Sequence, residues 1–374
     1  MNEPVLLAQS LVRAETVNPP GDELAAAALL APRLEAAGFS TELHELAPGR
    51  PSLIARLAGG GDRPALCLTG HLDVVAVGGA AWSREPFGGE LAEGRLHGRG
   101  SSDMKGGVAA IVVAAERLAG SIGARAGAGL ELVFTAGEET GCEGAARLAD
   151  AGLLERAGAI VVAEPTSNQP CVAQKGVLWL EAEATGRSAH GSAPELGENA
   201  IYAMAEAIGR LRRFPIGDFH HPLLGRATLS VGTFHAGQNV NSVPDRALAG
   251  IDIRTVSGVD HERLRAELER CVGELVELTP MLSLAPVETD PDDSWVLEVL
   301  EALTPILGER PQPGALRPFT DAAVLKDAYG GPPTIICGPG EPGQAHQTDE
   351  WCSLARIEQA VEIYVELIRR WCGL

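Results

Sequence analysis

The order of its apolar segments constrains this chain more than any other feature. Short runs of buried-strand type, at residues 64–69 (PALCLT), 130–135 (LELVFT) and 159–163 (AIVVA), alternate with helical stretches at 22–37 and 104–118. In the first of these helices Leu24, Leu29, Leu30 and Leu34 recur on one face. Strand–helix alternation of this kind predicts a largely parallel sheet with helices on both faces. After Cys171 the pattern changes. Residues 176–186 alternate as a strand, and a helix follows over 198–213. Two strands, 227–234 and 246–254, then come with no helix between them. A helix over 261–278 and a short strand at 281–284 complete the order β-α-β-β-α-β, that of a ferredoxin-like unit. Strand–helix character resumes with a helix at 295–307, a strand at 333–337 and a closing helix at 354–371.

The expected fold class is therefore α/β. Residues 1–173 and 283–374 form one domain, with a mainly parallel sheet flanked by helices, and residues 174–282 form an inserted ferredoxin-like domain. The length of 374 residues suits two domains of ordinary size.

Charge and cysteine usage narrow the function. Against 50 acidic residues stand 30 basic ones, a formal charge of −20, which repels phosphate backbones and anionic lipid. Nucleic acid and membranes are thus excluded as expected partners. The apolar run at 108–115 is far short of the ~18 residues that suggest a spanning helix. The start, MNEPVLLAQS, has Glu3 where a secretory signal carries basic residues. Seven cysteines are scattered without a C-x-x-C, so reduced thiols and a cytoplasmic location are expected.

Candidate metal ligands fall where strands run out. His71 follows PALCLTG, and Asp103 sits in the Gly-rich GRGSSDMKGG. Glu138 and Glu139 follow LELVFTAG, Glu164 follows AIVVA, and His346 lies in GPGEPGQAHQTDE after PTIIC. In open α/β sheets ligands gather beyond the carboxyl ends of the strands. Taken singly, a loop histidine is solvated, an aspartate before a helix is an N-cap, and paired glutamates are a charged loop. Together, two imidazoles and several carboxylates suit two divalent ions with one bridging carboxylate and a shared water.

GHLDVV, GRGSSDMKGG, AGEETGCEGA, AEPTS, GRSAHGSAPELGENAI and GPGEPGQAHQTDEW occur in this order. The chain so resembles the di-zinc amidohydrolase family of acetylornithine deacetylase, succinyl-diaminopimelate desuccinylase, carboxypeptidase G and the aminoacylases. That resemblance implies a catalytic domain with an inserted lid and dimerisation domain, and a homodimer formed through the lid. It implies His71 and Glu164 as ligands of one zinc, Glu139 and His346 as ligands of the other, and Asp103 as the bridge. Cobalt or manganese are expected substitutes, because the ligand set is rich in oxygen. Glu138 would be the general base, Asp73 would orient the metal-site groups, and His190 would stabilise the oxyanion from across the dimer. Arg254 resembles the arginine that binds the substrate carboxylate, and Asn241 and Thr320 resemble substrate contacts.

The implied reaction is hydrolysis of the amide of an N-acyl amino acid. Its motifs are most like those for N-acetylornithine-type deacetylation, with desuccinylation of succinyl-diaminopimelate, broad aminoacylase or dipeptidase activity as alternatives. A metal-stabilised binding protein without catalysis would be expected to have lost Glu138 or a ligand, and all are present. The glycines of GPGEPG imitate a dinucleotide motif, but prolines interrupt them and no helix is expected to open there. No P-loop and no G-x-S-x-G elbow occurs, and a glycosidase reading leaves His71, Asp103 and His346 idle. Cys142 has no basic neighbour in sequence to make it reactive.

Overall fold

The computed structural model describes residues 2–122, 126–217 and 219–374. Two compact units divide the chain: a large one of residues 1–173, 288–316 and 320–374, and a small one of residues 174–287 and 317–319.

The large unit is built on β1 (Pro51–Leu57), β2 (Arg63–His71), α1 (Gly106–Ala119), β3 (Ala128–Thr135) and β4 (Ala157–Pro165). β2 lies between β3 and β4 and runs parallel to both. The strand Thr334–Gly338 extends the parallel run beside β4. At the other side β1 pairs with β3 antiparallel, and Ser40–Glu45 pairs with β1. The sheet is parallel at its centre and antiparallel toward its edges, a refinement of the expected pattern. Strand β3 is buried along its whole length, as a two-sided parallel strand must be. Helix α1 is buried on nearly every side, because its alanines and valines pack between the sheet, the helix Glu3–Arg13 and the closing helix Leu354–Cys372. Gly107 in its first turn has no alternative: a β-carbon there would fall on the Ala163 carbonyl oxygen of β4.

The small unit contains β5 (Gly176–Thr185), α2 (Ala200–Leu211), β6 (Thr228–Ala236), β7 (Arg246–Thr255), α3 (His261–Val272) and β8 (Val276–Leu284). Its sheet has the order β6-β7-β5-β8, all neighbours antiparallel. The inner residues of these strands and of both helices share one apolar core, including Leu180, Met204, Ile251 and Leu268. The alternating burial of β7 is that of a sheet with one packed face. One expectation fails here. The helix expected over 261–278 stops at Val272, because Gly273 adopts φ +90° and residues from Val276 onward pair with β5 instead. Cross-strand pairing outweighs the helical spacing of that segment.

Among the described residues no helix is long and apolar enough to cross a membrane.

Candidate metal centre

Because β3, β2 and β4 are parallel neighbours, their carboxyl ends lie side by side. His71 is the last residue of β2, in register with Thr135 at the end of β3. Glu138 and Glu139 follow β3 by a short turn, and Glu164 occupies the end of β4. The loop after Thr334–Gly338 brings in His346. Topology alone thus gathers residues that lie far apart in sequence.

The distances show a convergent donor set. One ligand atom from each of His71, Asp103 and Glu139 lies within 4.8 Å of the others. His71 Nε2 is 3.0 Å from Asp103 Oδ1 and 3.8 Å from Glu164 Oε1. His346 Nε2 is 2.9 Å from Glu139 Oε2 and 3.6 Å from Asp103 Oδ2. Asp103 therefore stands between the two histidines, one carboxylate oxygen toward each. It does not cap α1, whose N-cap position is Lys105.

Two carboxylates hold this arrangement in place. Asp73 accepts hydrogen bonds from the backbone N–H of Glu138 (3.1 Å) and Glu139 (3.2 Å) and from Asn18 Nδ2 (2.9 Å). It aims the glutamate turn, while the His71 Nδ1 meets the Asp73 backbone carbonyl at 2.9 Å. That fixes the ring so that Nε2 points at Asp103. Glu350, which the sequence reasoning missed, is fully buried and grips the other ligand loop. Its Oε1 accepts from Ser102 N (2.8 Å) and Asp103 N (3.1 Å). Its Oε2 accepts from Gly100 N (3.0 Å) and Arg99 Nη1 (2.6 Å). Asp321, also missed, is buried behind the site, where its carboxylate bonds the Thr135 hydroxyl. Asp321 follows directly on Thr320 and Glu350 lies within GPGEPGQAHQTDEW, the only signal the sequence offered. The GPGEPG loop has a packing reason: a β-carbon at Gly340 would strike the Ser102 carbonyl.

The electrostatics fit a cation. Burial raises the Glu138 carboxyl well above the usual range, and although His71 opposes this, the Glu164 and Glu139 charges add to it. Glu164 is raised by burial and by Asp103, and Glu139 likewise. Burial alone would lower His71, but its bond to Asp103 and the charges of Glu164 and Glu138 hold it well above its ordinary value. Glu139 Oε1 is buried with no hydrogen-bond partner among the described residues. Four carboxylates facing two imidazoles leave negative charge unbalanced, which divalent ions would neutralise. Oxygen and imidazole donors suit such ions. Burial pushes the Cys142 thiol well above its usual value, so it is no nucleophile.

Residues 67–370 match Peptidase family M20/M25/M40. The chain belongs to this family. Membership makes it a metal-dependent hydrolase of amide bonds. Among its M20 relatives, the acetylornithine deacetylase of Proteus mirabilis is 33% identical over 359 residues, covering 92% of this chain and 89% of that one. The probable succinyl-diaminopimelate desuccinylase of Staphylococcus epidermidis is 29% identical over 364 residues, with 89% of each chain covered. An M20 family metallo-carboxypeptidase from Sulfolobus solfataricus superposes with a TM-score of 0.83 at 20% identity, covering all of both chains. A dinuclear metal-binding M20 peptidase of Bacillus subtilis gives 0.74 at 17%, with 99% of this chain and 98% of that one covered.

The remaining candidate residues of this M20 chain are not in the cluster. Thr320 is buried in the large unit, where its hydroxyl accepts from Ala322 N at 3.1 Å. In the small unit His190 lies on an exposed loop, its Nδ1 2.7 Å from the Ser192 hydroxyl. The same loop meets Asn241, whose carbonyl accepts from Gly191 N at 2.7 Å. Arg254, near the end of β7, is tied at Nε to Asp252 at 2.9 Å.

Proposed function

We propose that the chain hydrolyses the linear amide of an N-acyl amino acid, using two divalent ions held by His71 and Glu164, by Glu139 and His346, and by Asp103 between them. The observation that carries this reading is the convergence of His71, Asp103 and Glu139, with His346 and Glu164 alongside. Zinc is the ion proposed, with cobalt or manganese as working substitutes. When bound, such ions acidify water and polarise the scissile carbonyl.

The protein's own groups do the rest. The Glu138 carboxyl is buried and makes no hydrogen bond among the described residues, so it is free to take the water's proton and pass it to the leaving amine. Its raised pKa makes it a stronger base than a solvated carboxylate. His190 is assigned to the developing oxyanion, delivered from the partner of a homodimer built through the small unit, which also acts as a lid. Arg254 is assigned to the substrate carboxylate, with Asn241 and Thr320 as further contacts. The proposed compartment is the cytoplasm, given the free thiols of all seven cysteines.

The motifs put N-acetylornithine first and a succinylated diamino acid second. Amine release from N-acetylornithine, N-acetylmethionine, N-succinyl-diaminopimelate and a dipeptide tests the reaction, with zinc-loaded protein run beside its chelated form. Turnover lost on chelation and restored by metal is the expected result. A metal-loaded protein inert toward every amide would overturn the reading.

A further inference from the structure

The segment that leads out of the helix Glu3–Arg13 is laced to the loop it passes. Val17 and Val74 form a parallel bridge just beyond His71. Asn18 N donates to the Val74 carbonyl at 2.8 Å, Val74 N to the Thr16 carbonyl at 3.0 Å, and the Thr16 hydroxyl to the Leu72 carbonyl at 2.6 Å. A second clamp holds the segment's other end. The fully buried Glu23 carboxylate takes Arg50 Nη2 at 2.8 Å. Arg50 Nη1 lies 3.6 Å from Glu143 Oε2, at the start of the helix Glu143–Asp150. Gly21, at φ +86°, lets the chain turn close over that guanidinium, since a β-carbon there would lie 2.0 Å from Arg50 Nε.

Between the clamps one polar side chain points into the site. Asn18 is only 3% exposed, and its amide nitrogen gives one hydrogen bond to Asp73 Oδ2 at 2.9 Å and another to Thr140 Oγ1 at 3.0 Å. Asp73 is the residue that holds the backbone N–H groups of Glu138 and Glu139. Thr140 follows those glutamates, and its hydroxyl donates back to the Gly137 carbonyl at 3.4 Å. One planar amide thus ties the carboxylate that aims the glutamate turn to the residue that closes it. The chemistry of the position suits an amide. Asp73 takes N–H donors on both oxygens, so the group facing it must donate, and the Thr140 hydroxyl keeps lone pairs for a second N–H. An NH2 group supplies both bonds without placing a positive charge beside a centre that receives cations.

We propose that Asn18 is a positioning residue for the hydrolysis: through Asp73 and Thr140 it holds the 137–140 turn so that Glu139 meets the metal while Glu138 stays off it. The inference rests on the roles given to those two glutamates under the proposed function. Adjacent residues with different tasks need their shared backbone held in one orientation, because a rotation of the turn displaces both carboxylates together. Asp73 grips the turn by its N–H groups, and Asn18 restrains the Asp73 carboxylate in its turn.

Three readouts on Asn18→Ala test this: the unfolding midpoint, zinc titration of the metal-free protein by calorimetry, and steady-state turnover. The substrate is whichever of N-acetylornithine, N-acetylmethionine and N-succinyl-diaminopimelate the parent hydrolyses fastest. Zinc affinity is expected to fall about tenfold or more, and kcat at saturating zinc about 10–100-fold. KM should stay within about twofold, because no contact to substrate is removed. Asn18→Asp keeps the shape but turns an acceptor toward Asp73, and is expected to lose more. Asn18 is buried, so the half-buried Thr140→Val, which deletes the second acceptor, carries the test if the Asn18 variants fail to fold. Zinc affinity at the parent value in a folded Asn18→Ala protein overturns the proposal, as does kcat at the parent value. A lowered unfolding midpoint alone marks a purely structural role and overturns it too. A parent protein inert toward every amide removes the amide reading, and the zinc titration then judges Asn18 by itself: a tenfold loss supports the positioning role, and unchanged affinity overturns it.

Discussion

In the large unit four carboxylates, Asp103, Glu138, Glu139 and Glu164, face two imidazoles; in the small unit Arg254 is held by Asp252, and the buried Lys175 has no carboxylate partner among the described residues. Each cluster is charged in a way that folding alone does not favour, since a buried or half-buried charge without its counter-ion is costly. The signs are opposite and so are the pKa directions: Glu138 and Glu164 are pushed up, Lys175 down. Divalent ions would offset the imbalance in the large unit. The large unit's donor set suits divalent cations. Their tolerances differ as well. Asp73 and Glu350 brace the carboxylate cluster through backbone N–H groups, whereas Asp252 alone braces Arg254.

The strongest way to break the comparison is to remove the cation. Chelation should abolish turnover, and Asp103→Ala should lose metal and activity together, because the residue shared by both histidines is gone; metal analysis beside the amide assay checks both. Next comes the brace. Glu350→Gln turns two acceptor positions into donors facing the Gly100 or Ser102 N–H groups, and should cost roughly 3–5 kcal/mol of stability. Metal affinity should fall about 10–100-fold with it. Denaturant unfolding and a metal titration report the two effects separately.

The comparison sharpens with pH. Glu138, Glu139 and Glu164 lie above the usual carboxylate range, Asp321 is pushed up to about 6 by burial, and His71 and His346 lie above the ordinary imidazole value. Each of these groups keeps its proton to higher pH when folded than when unfolded. Their contribution to stability is present at low pH and is lost as pH rises, starting near the ordinary carboxylate pKa of about 4 and continuing beyond 6. Asp103 alone in the cluster runs the other way. Metal-free protein should therefore lose thermal stability as pH is raised, and the metal-loaded form should lose less. Zinc binding should also release protons, seen as a dependence of the calorimetric enthalpy on the buffer.

The ligand cluster was legible in the sequence because each member follows an apolar run, and parallel strands place such positions together. The β-α-β-β-α-β order of the small unit was legible from strand alternation and helical spacing, as were β2, α1, β3 and β4 of the large unit; the helix Glu3–Arg13 and the strand β1 were not anticipated. Glu350 was not, since its grip on Asp103 N spans 247 positions and looks in sequence like any acid in a polar loop. Nor was the strand Ser40–Glu45, whose exposed, polar edge shows no apolar alternation. The end of α3 was misplaced because Leu275 and Leu278 continue a helical spacing past Gly273.

The central claim is that Glu138 moves the proton while its neighbours hold the ions. Glu138→Gln tests it most directly, with metal content and amide turnover measured on the same preparation. Two ions per chain with turnover reduced about 100- to 10,000-fold is the expected result. Turnover near the parent rate with both ions bound would contradict it.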